Sequence, residues 1–144
     1  TKIACIIANE IIRHNFNPSM TVLFKRSSDI QNEFKELWDR NSNKSKAAFI
    51  NGLASATVLI IDEVGEGYTG YTATTANKYR ELLSAVIDRR YSLGLPTIIT
   101  TNMTDDDFYN HIGDRATDRL RQRLVSIPCA WRSYRDSYST IEVV

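Results

Sequence analysis

Residues 57–61, TVLII, constrain the fold more than any other stretch, because they run without a polar break into Asp62 and Glu63. A strand with one solvated face alternates apolar and polar side chains. A run with no alternation reads as a strand covered on both faces, the habit of parallel sheets flanked by helices. Residues 97–101 (TIITT) are continuously β-prone in the same way. Between them Tyr79, Leu82, Leu83, Val86 and Ile87 mark one face of a long helix that Gly94 and Pro96 bring to an end. Strand, crossover helix and strand make the unit of a parallel sheet, so the expected fold is α/β in three layers.

The remaining segments fit that frame. Ile3, Ile6, Ile7 and Ile11, with Ala4 and Ala8, recur at helical spacing and stop before the polar residues 15–19. Residues 21–25 (TVLFK) predict a short strand, followed by Ser28 and Asp29 as cap candidates for a helix carrying Ile30, Phe34, Leu37 and Trp38. A polar loop at 41–45 precedes a short helix over 47–53. Residues 65–75 (GEGYTGYTATT) show no periodicity and predict a loop. Short helices are expected from 105–107 and over 114–124, with a last strand at 124–127.

With 144 residues and 42% hydrophobic content, the chain has material for one domain, taken as residues 1–144, around a single core. A formal charge of +1 makes no demand for a nucleic-acid or membrane partner, and no run approaches the length of a membrane span. Cys5 and Cys129 form no CxxC pair, and Cys5 lies in an apolar run that predicts a buried thiol, which fits a reducing cytoplasm. His14 and His111 are isolated, so any metal is expected to arrive with a ligand. Locally the balance differs: residues 111–136 hold six arginines against three aspartates, a place where anions could dock.

Four short stretches carry candidate chemistry. In an open parallel sheet ligands bind beyond the carboxyl ends of the strands, which is where Asp62 and Glu63 emerge. There Asp62 suits the Mg²⁺ shell of a phosphate ligand, and Glu63 suits orienting an attacking water; the plainer alternative is a buried strand ending in a polar loop. Asn102, closing the TTN of residues 100–102, would stand beside those carboxylates and could bond the water or a terminal phosphate, although Asn begins turns everywhere. Arg115 and Arg119, four apart in GDRATDRL, share a helix face. Guanidinium groups suit charge on a transferring phosphoryl group, while pairing with Asp114 and Asp118 on a solvated helix is the plainer use. In residues 131–135 (WRSYR), Trp131 and Tyr134 suit closing a core better than stacking on bases. Arg89, Arg90, Arg121 and Arg123 suggest a DNA contact or, more plainly, a solvated basic face.

In their order and spacing, VLIIDE, a helix ending in IDRRYS, TTN, GDRATDRL and WRSYR resemble the AAA+ domain of the DnaC and DnaI helicase loaders and, nearly as much, the IstB-type transposition helper ATPases. The resemblance spans nearly the whole chain. It implies a P-loop ATPase with a mainly parallel sheet that takes ATP and Mg²⁺, self-associates, and places a replicative DNA helicase on single-stranded DNA; the rival readings are a transposition helper on duplex DNA and a non-hydrolysing interaction module that keeps the fold. By it Asp62 and Glu63 are the Walker B pair, Asn102 is sensor 1, Arg119 is an arginine finger acting on a neighbouring subunit with Arg115 beside it, and Arg135 is sensor 2. No GxxxxGK[ST] phosphate loop occurs in the sequence. Thr1, followed at once by an amphipathic helix, is similar to the Thr that closes such a loop and touches Mg²⁺. The loop and the strand before it would then lie upstream, leaving a gap between the Asn102 strand and the last strand. The loop at 65–75 is longer than in the loaders, which fits a partner or DNA contact or, more plainly, an ordered surface insertion or disorder.

Overall fold

The computed structural model describes residues 2–14, 17–37, 45–65 and 72–130. In chain order these form α1 (Lys2–His14), β1 (Val22–Arg26), α2 (Ser27–Glu36), α3 (Lys46–Ser55), β2 (Val58–Val64), α4 (Ala73–Ser92), β3 (Thr97–Thr101), α5 (Asp105–Ile112) and α6 (Asp114–Arg121). The strands make one parallel sheet in the order β1-β2-β3.

β2 is the middle strand, and its lack of alternation follows from its having two covered faces. Leu59 and Ile61 pack with Ile30, Phe34, Leu53, Leu82 and Val86 of α2, α3 and α4. Val58 and Ile60 turn the other way, onto Ala4 and Ala8 of α1, whose small side chains let that helix lie close. Burying each of the large apolar residues stabilises the fold by about 1.5–3 kcal/mol. β3 is only half-buried along its length, as befits a strand with no neighbour on its outer edge among the described residues.

Arg90, near the end of α4, ties the lower end of the sheet together. It is fully buried. Its Nη1 donates to the carbonyls of Ala56 (2.6 Å), Ala54 (3.0 Å) and Leu53 (3.5 Å), Nη2 to Pro96 (2.6 Å) and Thr57 (3.4 Å), and Nε to Thr97 Oγ1 (2.9 Å). The orphan carbonyls at the end of α3 and the residues leading into β2 and β3 thus share one guanidinium, whose rigid fork of donors suits several acceptors at once. Burial pushes its pKa below the usual arginine value. Arg90 therefore cannot belong to a DNA-contacting basic face.

Three further expectations change. Cys5 is exposed, because Ala4 and Ala8 set the inward face of α1 and Cys5 falls outside it. Helix α2 starts at Ser27 without a side-chain cap; the Ser27 hydroxyl instead meets the Tyr79 hydroxyl in the core at 2.9 Å. Residues 124–127 form no strand: Val125 is 80% and Ile127 71% exposed, and no described strand lies beside them to share a ladder. Trp38, most of the 41–45 loop, the middle of the 65–75 loop, Trp131 and Tyr134 lie outside the described residues.

Candidate nucleotide site

The carboxylates sit on a local irregularity. Ile61 pairs with Ile99 and Val64 with Thr101, so Asp62 and Glu63 together face the single residue Thr100. Two residues against one is a β-bulge, a device that re-aims side chains at the ends of strands. Glu63 takes the extra turn with φ 61°, a left-handed conformation uncommon outside glycine and found where surrounding structure enforces it. Gly65 follows at φ 99°, packed so closely that a Cβ would lie 2.6 Å from Met103 Sδ.

Thr100 holds the bulge. Its hydroxyl donates to Asp62 Oδ1 at 2.6 Å and accepts the Glu63 amide N–H at 3.0 Å, so one oxygen sets both acidic residues. Thr101 repeats the arrangement one step on, donating to the Val64 carbonyl at 2.7 Å and accepting from the Met103 amide at 3.1 Å. Asp62 is fully buried, Glu63 half-buried and Asn102 exposed just past β3, all at the carboxyl end of the sheet. Sequence reasoning weighed the Asn of TTN and passed over its threonines; the available signal was a hydroxyl one strand away from an acidic pair.

Topology brings α1 to the same end. Residues 15–21 join its last turn to the start of β1, and its 13 residues span about 20 Å, roughly a strand's length. Packed on the Val58–Ile60 face, α1 runs back along the sheet, and its N-terminus lies toward the carboxyl ends of the strands. An N-terminus there presents amide N–H groups and a partial positive charge to an anion. Among the described residues no group of three or more His, Cys, Asp or Glu could cage a metal. A hard carboxylate at the carboxyl end of the sheet still fits Mg²⁺, which is commonly held by one or two carboxylates and the phosphates it accompanies. A cavity of about 280 Å³ beside β1, lined by Leu23, Lys25, Glu33 and Phe49 among others, includes none of these residues.

The arginines stand elsewhere. Arg119 Nε donates to Asp88 Oδ1 at 3.1 Å and Arg115 Nη2 to Asp88 Oδ2 at 2.7 Å, a partner on α4 in place of the neighbouring Asp114 and Asp118. Asp88 is two residues from Arg90, which grips the chain where it enters β2 and β3, so this pair belongs to the lower end of the sheet. It lies about 22 Å along α4 from Ala73, further than an arginine side chain spans. The structure thus brings Asp62, Glu63 and Asn102 together and keeps Arg115 and Arg119 apart from them. Arg121 stacks over Tyr109 and Arg123 over Tyr91. Thr1 and Arg135 lie outside the described residues.

A three-layer arrangement around a parallel sheet, with an acidic pair at its carboxyl end, defines an α/β nucleotide-binding domain of the P-loop type. The family model of the IstB-like ATP binding protein matches residues 1–139, and the chain belongs to this DnaC- and IstB-like AAA+ family of ATP-binding proteins. It is similar to the replicative helicase loader DnaC of Escherichia coli strain K12, 30% identical over 135 residues covering 92% of this chain and 50% of the relative. The loader of Buchnera aphidicola subsp. Schizaphis graminum is 26% identical over the same shares. That of the subspecies Baizongia pistaciae is 25% identical over 117 residues, 80% of this chain and 45% of the relative. The chain spans about half the length of the curated relatives it matches. No helix among the described residues is long and apolar enough to cross a membrane.

Proposed function

We propose that the protein hydrolyses ATP with Mg²⁺ in a site shared between subunits, and that this hydrolysis places a replicative helicase on single-stranded DNA. The observation that carries the catalytic part is the bulge at Asp62 and Glu63: one hydroxyl donates to the buried Asp62 carboxylate and accepts from the Glu63 backbone N–H, fixing the two residues side by side at the carboxyl end of the sheet. Mg²⁺, when bound, neutralises charge on the phosphates, and Asp62 is the residue that holds its shell. Glu63 orients and polarises the attacking water, Asn102 steadies the water or the terminal phosphate, and Thr1 and Arg135 take their places by family resemblance. Arg119, with Arg115 beside it, reaches the nucleotide of a neighbouring copy, because its own lies at the far end of the sheet.

The helicase part rests on the loader relatives. The match to the IstB-like ATP binding family supports a second reading, in which the client is the transposase on duplex DNA that the resemblance to transposition helpers implies. Hydrolysis by the intact protein is expected to rise with protein concentration more than in proportion, and Glu63→Gln to lose at least about a hundredfold in rate while still binding ATP. Wild-type protein that binds no ATP, or hydrolyses none with single-stranded DNA and a helicase or transposase present, overturns the proposal. Capture of the helicase by the intact protein supports loading; capture of the transposase alone transfers the client.

A further inference from the structure

Arg119 is held in an unusual way for an exposed arginine. Only Nε is bonded among the described residues, to Asp88, and the guanidinium lies over the Tyr91 ring with its carbon 5.2 Å from the centroid. Tyr91 is itself fixed by the hydrogen bond from its hydroxyl to Gln122, in the turn just past α6. The plane of the guanidinium is therefore set by one bond and one stack, and both leave the terminal nitrogens for another ligand. The side chain is 40% exposed.

Asp88 faces both Arg115 and Arg119. Its two oxygens are divided between two arginines, leaving the cluster with a surplus positive charge, which suits reception of an anion rather than a closed ion pair. Burial alone would raise the Asp88 carboxyl; hydrogen bonds and charge from Arg119 and Arg115 outweigh it and hold the group below its ordinary value. The aspartate thus stays ionised across the neutral range.

We propose that Asp88 and Tyr91 are positioning residues that present Arg119, with its terminal nitrogens outward, to the polyphosphate of a nucleotide held by a second copy of the chain. This rests on the shared-site ATPase described above. Neither residue touches the nucleotide. Each removes conformations of a long, flexible side chain before the subunits meet, so that less ordering is left to the transition state.

The intact protein carrying Asp88→Asn, Asp88→Glu or Tyr91→Ala is compared with wild type and Arg119→Ala for kcat and KM, ATP affinity, and thermal unfolding. Asp88→Asn and Tyr91→Ala are expected to lower kcat about tenfold to a hundredfold with KM and ATP affinity within about twofold, and Asp88→Glu to recover part of the loss. Mixing Asp88→Asn with Glu63→Gln is expected to restore hydrolysis, because the Glu63→Gln subunit supplies an intact finger to an intact site. Asp88→Asn with wild-type kcat, beside an inactive Arg119→Ala, overturns the positioning role and leaves the ATPase standing. So does an Asp88→Asn defect that tracks lost ATP affinity and is not relieved by mixing. A wild type without hydrolysis sinks the shared-site reading and this inference with it.

Discussion

The two ends of the sheet solve opposite problems. At the carboxyl end an acidic pair is set by the Thr100 hydroxyl and by the left-handed backbone at Glu63. At the lower end two arginines are held by one carboxylate, so positive charge is left for an incoming anion. In the function we propose, each end supplies half of a phosphoryl-transfer site. The fold keeps the two ends apart, so that proposal needs a second copy to bring them together.

Within the lower end a sharper contrast separates Arg90 from Arg119. Arg90 spends its donors on backbone carbonyls and one hydroxyl; Arg119 spends one nitrogen. If that difference separates structure from function, stability should separate the two first. Arg90→Met is expected to destabilise by about 3–5 kcal/mol, since several buried carbonyls lose a charged donor together. Arg119→Ala should cost no more than about 1 kcal/mol, because its pair with Asp88 is partly exposed. Equal losses in denaturant unfolding would erase the distinction.

Smaller effects probe the upper end. Gly65→Ala forces a Cβ against Met103 in a left-handed backbone and is expected to cost about 2 kcal/mol, measured in the same way. Thr100→Val deletes both bonds of the bridging hydroxyl; a loss of about 1–2 kcal/mol is expected, with Thr100→Ser close to wild type. An unaffected Thr100→Val would mean that the backbone holds the bulge unaided. The smallest change is with pH. The folded Asp88 pKa lies below its unfolded value, so its contribution is fully present above about pH 4 and fades as pH falls through the folded value. Relative to wild type, Asp88→Asn should show a stability deficit that is flat above about pH 5 and shrinks on acidification.

The layered fold was legible because β2 and β3 carry no alternation and α4 carries a clear apolar face. The acidic pair was legible because it ends the most buried strand. The bulge was not, since it depends on the register between residues 61–64 and 99–101, a relation that no local pattern records. Nor was the burial of Arg90: beside Arg89 it resembles a basic face, and its partners are backbone carbonyls, which every residue has. The plain expectation for Arg115 and Arg119 looked to Asp114 and Asp118, close in sequence, whereas the fold supplies Asp88. A last strand at 124–127 failed for a related reason, because β-prone residues make a strand only beside another strand.

If one active site needs residues from two copies, two inactive variants should complement each other when mixed. Intact Glu63→Gln, with a crippled site and a good finger, is combined with Arg119→Ala, with a good site and no finger, and ATP hydrolysis is followed as their ratio varies. Almost no hydrolysis is expected from either alone, with recovery in the mixture that is greatest near equal proportions. A mixture as inactive as its components, with both variants folded, assembled and binding ATP, would contradict it.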